Sequence, residues 1–504
     1  MRTLTSTLVT VALLAGGAAG AAQAPSVVAA VKSGNAPAAL RAAIGAHADV
    51  NARDGDGTSA LAWAAHRDDG DSVDLLLLAG ADPNLVNDYG VGALSLACEN
   101  ANEAIVRRLL AAGATPNVRQ WTGATPLITC ATTGSLPAVQ ALIAGGADVN
   151  GQEAQQGHSA LMRAVAAQHP AVVAALLAAG ADVQAHSKGG FTALLFASRQ
   201  GDVDSARALL NAGADVNEVT PIDGEARRDS TGGTCVAATR KTPPNCFLPE
   251  HNPSALVLAA ASGHEQMALY LLEHGADPNA ADAFGWTALH YTVPDGWAAI
   301  NAFFYRPFHD AFRLPEMPDL AHALLAKGAN PNARVARDFS TYDISPYLIE
   351  TSPVGATPFA LAAAAGDVQI MQLLLAAHAD PTIALANGVT PLMLAAGVGR
   401  TQEYRASREA TRALDAVKLI VATGADANAR DRRGHTALHG AAGVGSDAVV
   451  EFLARSGANL DVKDRDGQTP LGIASGLTKG EDAAARVYKD TAALLLRLGA
   501  EPLK

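Results

Sequence analysis

The feature that most constrains this 504-residue chain is a repeat of about 33 residues that covers nearly all of it. The clearest copy runs from Gly434 to Asp464 and reads GHTALHGAAGVGSDAVVEFLARSGANLDVKD. Thr436 can cap a short helix of small and apolar residues, which Gly443 and Gly445 interrupt. Asp447 begins a second helix, with apolar residues at three- and four-residue spacing and a glycine where a left-handed residue should end it. The copy therefore predicts two short antiparallel helices.

The segment that follows, Ala458 to Gly467 (ANLDVKDRDG), carries Asp-Gly at its tip and predicts a hairpin that leads into the next copy. The apolar position of each first helix gives the register of the whole array. It falls at Leu61, Leu94, Leu127, Leu161, Leu194, Leu256, Leu289, Phe359, Leu392, Leu438 and Leu471. Seven of the ten spacings between these positions are 33 or 34 residues.

Short motifs recur at fixed places in this register. They are T-P-L at Thr125–Leu127 and Thr469–Leu471, T-A-L-H at Thr287–His290 and Thr436–His439, and G-A-D-V-N at Gly146–Asn150 and Gly213–Asn217. With the 33-residue period, they make the chain resemble the ankyrin-repeat family. The resemblance implies an all-α solenoid of about 12 helix-turn-helix units with short β-hairpin fingers, a shape that usually binds other proteins. Ala93, His47 and His378 depart from the motifs, and we expect those copies to be locally looser.

Composition argues against several other classes of function. The net charge is -12, and no lysine or arginine cluster offsets it, so we expect no nucleic-acid partner. Metal-ligand, haem, phosphate-loop and nucleophile-elbow motifs are absent from the sequence. The sequence therefore predicts no enzyme, no catalytic residues, no metal and no cofactor.

The N-terminus has the layout of a secretory signal. Arg2 precedes an apolar run from Leu8 to Ala19, and small residues follow. The run is too short to span a bilayer. We expect cleavage after Ala21 or Ala22 and assign residues 1–22 as the signal peptide. An uncleaved anchor is the alternative. We expect residues 23–504 to form a periplasmic or secreted solenoid that is not held in a membrane.

Five stretches exceed the normal repeat length and predict insertions, near residues 221–252, 294–317, 336–353, 399–412 and 475–490. The C-terminal half is therefore the irregular one. Such insertions are the first place to look for individual function, although a tolerated surface loop would show the same pattern.

Of the four cysteines, Cys235 and Cys246 lie together in the first insertion, and we expect them to form a disulfide in an oxidising compartment. Cys98 and Cys130 occupy small-residue positions of neighbouring first helices. We expect them to be buried free thiols, because packed helices lie roughly 8 to 10 Å apart.

Two polar patterns recur, and both favour structural roles. His290 and His439 fall on the T-A-L-H position, which in the related family is structural. An aspartate recurs after Gly-Ala or His-Ala, at Asp49, Asp82, Asp148, Asp182, Asp215, Asp277, Asp380 and Asp426. One carboxylate per repeat cannot supply the six to eight oxygens of a calcium site, so turn hydrogen bonding is the better interpretation.

Aromatic residues are unevenly distributed, since twelve of the 23 lie between Phe284 and Tyr347. Either they form a satellite core that holds the insertions onto the stack, or they form a partner site. The candidate binding residues are Trp286, Trp297, Phe303, Phe304, Tyr305, Phe308, Phe312 and Tyr342.

These features together predict an exported, monomeric scaffold that binds a protein through its concave face and enlarged fingers. The alternative is a ligand-binding or enzymatic pocket formed by the insertions over the inner helices. A purely structural spacer is a third interpretation, but it gives no reason for insertions concentrated in one half.

Overall fold

The computed structural model describes residues 26–33, 36–220, 252–293, 316–337, 353–398, 409–477 and 487–503. The predicted signal segment, Cys235, Cys246 and most of each predicted insertion lie outside these residues. The chain divides into two compact units, Met1–Asp148 and Val149–Lys504, and each is a stack of helix pairs.

The first unit contains four pairs in its described residues. Their helices are α1 Val27–Lys32, α2 Ala36–Gly45, α3 Ala60–His66, α4 Gly70–Leu78, α5 Ala93–Glu99, α6 Glu103–Ala111, α7 Pro126–Thr133 and α8 Leu136–Ala144. Each first helix packs on the next first helix, as α3 does on α5 and α5 on α7.

The second unit continues the same pattern. Its helices are α9 Ala160–Ala166, α10 Pro170–Ala178, α11 Ala193–Gln200, α12 Val203–Asn211, α13 Ala255–Ala261, α14 Glu265–Glu273, α15 Ala288–Tyr291, α16 Pro318–Ala326, α17 Pro358–Ala365, α18 Val368–Ala376, α19 Pro391–Ala395, α20 Glu409–Ala422, α21 Ala437–Val444, α22 Asp447–Arg455, α23 Pro470–Ala474 and α24 Lys489–Arg497. No helix in the described residues is long and apolar enough to cross a membrane. The predicted solenoid of helix pairs is confirmed.

The register of the first helices is also confirmed, because the eleven apolar positions on which it rests are each at most 4% exposed. A serine or threonine two residues earlier caps most of these helices. Ser59 Oγ, for example, accepts a hydrogen bond from the Ala62 N–H at 3.1 Å, and Thr357 Oγ1 accepts one from Ala360 at the same distance. The cap satisfies one of the free N–H groups of the first turn and fixes where each helix starts.

Two first helices carry histidine at the third position, and both imidazoles have the structural role that the motif predicts. His439 Nδ1 lies 3.1 Å from the Thr436 backbone N–H, and its Nε2 lies 3.2 Å from the Gln468 carbonyl oxygen in the next hairpin. His290 makes the equivalent contacts, and burial lowers its pKa to about 4. A neutral ring is the form that can accept at Nδ1 and donate at Nε2.

The aspartate of the Gly-Ala-Asp and His-Ala-Asp segments acts in a turn, as predicted, in at least seven of the eight copies. Asp82 Oδ1 accepts the Asn84 N–H at 2.9 Å. The same bond to the residue two positions on is made by Asp49, Asp182, Asp215, Asp277, Asp380 and Asp426.

The residue that follows this turn links consecutive repeats, a feature that the sequence reasoning missed. Asn428 Nδ2 donates to the Gly457 carbonyl oxygen at 3.0 Å, and its Oδ1 accepts the Asn459 N–H at 2.7 Å. The same pair of bonds is made by Asn84, Asn117, Asn150, Asn217, Asn279 and Asn332. We call this series the asparagine ladder.

The asparagine ladder is interrupted at Thr382, which occupies the asparagine position in the ninth repeat, counting the pair α1 and α2 as the first repeat. Its hydroxyl donates to Asp380 Oδ1 at 2.6 Å, within its own turn. Among the described residues, no hydrogen bond joins Thr382 to Gly424 or Asp426 of the next repeat. The threonine side chain lacks both the amide donor and the length that the bridge requires.

Cys98 and Cys130 correct one prediction. They form a disulfide between α5 and α7, with their Cα atoms 4.6 Å apart, and are not free thiols. The prediction took the distance between helix axes as the distance between backbones. Because Cα atoms lie about 2.3 Å from each axis, facing Cα atoms of packed helices approach to roughly 4 to 5 Å. Fully buried neighbours Ala97 and Ala131 are small enough to permit that approach.

Candidate binding surface

The hairpins between repeats are tight turns closed by isolated bridges, such as Val86 with Gly92. Asn87 Oδ1 accepts the N–H groups of Tyr89 at 3.0 Å and Val91 at 2.9 Å, which holds the turn closed from inside. Gly90 has a φ of 73°, and a Cβ there would lie 2.8 Å from the Arg119 carbonyl oxygen of the next hairpin. Glycine is therefore required both by the backbone conformation and by the neighbouring finger.

Backbone hydrogen bonds connect consecutive fingertips in both units. In the first unit the Asp88 N–H donates to the Asp56 carbonyl oxygen at 3.1 Å, and the Trp121 N–H donates to that of Tyr89 at 2.9 Å. In the second unit, Arg432 and Arg465 make the corresponding bonds at 3.0 and 2.8 Å. The turns joined in this way are linked tip to tip, and we call these linked turns the fingertip row.

Two aromatic side chains project from the fingertip row of the first unit. Tyr89 is 56% exposed and Trp121 is 68% exposed, although both are large and apolar. The hydrogen bond between their backbones makes them neighbours on consecutive tips. Exposed aromatics held by a rigid backbone have the properties of interface anchors.

The sequence reasoning missed Tyr89 and Trp121, although a signal was available. Each lies in a turn that a following glycine closes, in the segments NDYG and QWTG. A residue at such a tip has no helix beneath it to bury against. The clustering of aromatic residues instead predicted a binding site in the region around repeat eight.

At the base of the fingers, the first helices of repeats one and two form a second polar and aromatic contact. Lys32 Nζ lies 4.1 Å from the ring centroid of Trp63 and forms an ion pair with Asp54. The hydrogen bond from Lys32, and after it the one from the Gly55 N–H, lower the pKa of the Asp54 carboxyl below its usual value. The Trp63 ring is therefore partly covered and is less available than the tip aromatics.

Of the candidate binding residues predicted from the sequence, Trp286 alone lies within the described residues. It is 0% exposed, and its ring lies 5.5 Å from that of His290 and 5.6 Å from that of Tyr291, centroid to centroid. A partner cannot reach this indole, so Trp286 is a core residue of repeat eight. The rest of the set, Trp297, Phe303, Phe304, Tyr305, Phe308, Phe312 and Tyr342, lies outside the described residues.

One cavity of about 300 Å³ lies beside the N-terminus of α18. Its lining is mainly charged or polar and includes Glu316, Asp367, Arg412 and Asp415. Small-molecule sites are mostly apolar with a few convergent polar groups, and this lining differs from that pattern. Within the described part of the chain, no group of three or more His, Cys, Asp or Glu side chains could hold a metal ion.

Comparison with known proteins identifies the repeat. A three-copy ankyrin-repeat profile matches residues 27–120, 62–153, 94–187, 127–220 and 404–503. A many-copy ankyrin profile matches residues 256–293, and a single-repeat ankyrin profile matches 354–384. Among curated proteins, "Ankyrin repeat and SAM domain-containing protein 6" of Danio rerio is 30% identical over 132 residues. The match covers 25% of this chain and only 17% of that relative.

Proposed function

We propose that this chain, which belongs to the ankyrin-repeat family, is an exported scaffold that binds another protein through its first-helix face and its fingers. Ankyrin repeats indicate a protein-interaction scaffold, and the fingertip row supplies a surface for that role. The observation that carries the proposal is the exposure of Tyr89 and Trp121 on backbone-linked tips. Aromatic anchors on a rigid frame provide large contact area with little loss of side-chain entropy on binding.

The test uses single alanine variants at Tyr89 and Trp121, with Leu78→Ala as a matched control. Leu78 is 86% exposed and apolar, but it ends the second helix α4 and is not on a finger. A partner is first captured by cross-linking in a periplasmic or secreted extract and identified. Each tip variant should then weaken its affinity by about 2 kcal/mol, with little change in the thermal midpoint.

The control variant should keep full affinity. Equal losses at Leu78 and at the tips would mean that general surface hydrophobicity is responsible and not the fingertip row. Full affinity in both tip variants would refute the proposed surface.

Export is part of the proposal and has two supports. The N-terminal sequence has the layout of a signal, and the bond between Cys98 and Cys130 is of a kind that persists in oxidising compartments. We expect protein isolated from cells to lack residues 1–22 and to fractionate with the periplasm or the medium. Protein that begins at Met1 in the cytosol would contradict this part.

The aromatic insertions near repeat eight remain a second predicted contact region of the same scaffold. If they bind the partner, Trp297→Ala or Tyr305→Ala should reduce affinity and leave the thermal midpoint nearly unchanged. If they form a satellite core, the same variants should lower stability and leave affinity intact. We also propose that the scaffold acts as a monomer, which light scattering measures directly.

A further inference from the structure

We propose that repeats five and six contain a carboxylate-binding site formed by Arg163 on α9 and Arg199 on α11, with His158 and Phe196 as its walls. The inference rests on the proposed scaffold function, since it names a chemical group of the partner that this face would hold. No sequence motif points to the site, because its residues come from two first helices and the hairpin that precedes one of them.

Arg199 is a half-buried cation that lies over two aromatic rings. Its guanidinium carbon lies 5.8 Å from the ring centroid of Phe191 and 5.7 Å from that of Phe196. The Arg199 carbonyl oxygen lies 3.0 Å from His264 Nε2, which fixes the end of α11 to the next repeat. The rings attract the cation but provide no hydrogen-bond acceptor, and no acceptor among the described residues bonds its N–H groups, which can therefore serve a ligand.

Arg163 contributes a second guanidinium with unsatisfied donors. Its Nε is buried and has no hydrogen-bond partner. No carboxylate lies within ion-pair distance of Arg163 or Arg199 in the described part of the chain. A buried donor without a partner destabilises the fold, so a ligand that supplies an acceptor gains binding free energy there.

The acidic side chain beside His158 is already engaged. Glu153 is 5% exposed, and its carboxylate accepts backbone N–H groups from Gln155 at 2.6 Å, Gln156 at 2.8 Å and His158 at 3.1 Å. Burial opposes ionisation of Glu153, but these three bonds lower its pKa below the usual value. The carboxylate therefore shapes the hairpin and does not neutralise the arginines.

His158 lies at the seam between the two helices that carry the arginines. Arg163 and Phe196 each lie two residues after the buried leucine of α9 and α11, and these helices pack together. Arg199 lies over Phe196, whose ring meets that of His158. Burial, followed by the charge of Arg163 and then that of Arg199, lowers the pKa of the imidazole to about 4, against the opposing effect of Glu153. The ring is thus neutral at neutral pH and meets Phe196 edge to face, with centroids 5.3 Å apart. With His158 uncharged, the charges at this seam are those of Arg163, Arg199 and the hydrogen-bonded carboxylate of Glu153. Their sum is positive.

The expected ligand is a carboxylate next to an apolar group. Guanidinium groups match the planar geometry of a carboxylate, and the phenylalanine rings provide an apolar wall. A singly charged group also loses less hydration free energy on entering this partly buried place than a phosphate would. Because the whole chain carries a net charge of -12, general attraction of anions does not account for such binding.

The first experiment titrates the full chain with 3-phenylpropionate and with its neutral isostere 3-phenylpropionamide, and follows the arginine Nε–H signals by NMR. Only the carboxylate should shift the Arg163 and Arg199 signals. Arg199→Gln and Arg163→Gln should each weaken its binding at least tenfold, and Arg199→Lys should retain part of it. Thermal midpoints establish that each variant is folded.

Arg207→Gln is the matched control. Arg207 lies in the same repeat and also lies over an aromatic ring, 5.8 Å from the Tyr270 centroid, but it is exposed and close to Asp204. It should leave the titration unchanged. Equal binding of acid and amide, or equal weakening by the control, would overturn the proposal, as would no binding at millimolar concentration.

Peptides then identify the source of the carboxylate. One peptide ends in phenylalanine with a free carboxylate, a second is the same sequence amidated, and a third is amidated but carries an internal glutamate. Binding of the first alone assigns a chain terminus, and binding of the first and third assigns any peptide carboxylate. Failure of every carboxylate probe would refute this site and leave capture by the fingertip row unaffected. Failure of capture with intact probe binding would instead refute the scaffold function.

Discussion

Replacing Asn428 with alanine should measure what one rung of the asparagine ladder contributes. The change removes the bond from Nδ2 to the Gly457 carbonyl oxygen and the bond from the Asn459 N–H to Oδ1. Each is worth about 0.5–1.5 kcal/mol, and because all three residues are exposed, water replaces part of the loss. We therefore expect a decrease of about 1–2 kcal/mol in the free energy of unfolding.

Thr382 supplies the matched position, one repeat earlier. Thr382→Ala loses only a bond within its own turn and should cost less than about 0.5 kcal/mol. Thr382→Asn should supply the missing rung to Gly424 and Asp426 and raise stability by about 1 kcal/mol.

The assay is urea unfolding of the full chain followed by circular dichroism, with hydrogen exchange to locate the effect. Repeat stability is the sum of each unit and its nearest-neighbour interface, so changes in exchange should concentrate in the repeats next to the altered rung. Equal losses for Asn428→Ala and Thr382→Ala would refute the ladder as a source of stability between repeats.

Three further predictions follow from buried groups. Thiol counting under denaturing, non-reducing conditions should find at most two thiols, and replacing both Cys98 and Cys130 with alanine should cost about 4 kcal/mol in the chain-entropy account of a loop of this length; four thiols would exclude the bond. The pKa of His290 is about 4 in the folded protein, and its ordinary value is 6.5. The contribution of its neutral ring to the free energy of unfolding is therefore fully present above pH 6.5 and is lost as pH falls towards 4. Urea unfolding at pH 7.5 and 4.5 measures how much unfolding free energy is lost on acidification. His290→Gln should reduce that loss by up to about 3 kcal/mol, and an unchanged loss would contradict the prediction. Burial raises the pKa of Glu218 to about 7, so ionisation costs stability as pH rises from 4.5 through 7; Glu218→Gln should add about 2 kcal/mol at pH 8 and nothing at pH 4, and a gain equal at both would show that the charge is not the cause.

Periodic features of the sequence predicted much of the fold. Apolar residues at a fixed period have to share one face of the stacked helices, so the register from Leu61 to Leu471 located the core directly. Thr436 and His439 were also predictable, because a cap and its partner are separated by one helical turn.

Features that depend on the distance between repeats were harder to predict from the sequence. Whether Cys98 and Cys130 bond depends on how closely α5 approaches α7, which the flanking alanines determine. The proposed roles of Arg163 and Arg199 depend on whether a carboxylate of a neighbouring helix or hairpin pairs with them. The spacing of residues along the chain does not show this.

The bond between Cys98 and Cys130 encloses the hairpin that carries Trp121. Exposed tips are the preferred cutting sites of proteases. A protein that is exported, as proposed above, meets many proteases. A cut at this tip would leave the two fragments covalently joined through α5 and α7. The finger that carries the most exposed aromatic side chain of the described residues could therefore be severed without separating the repeats on either side of it.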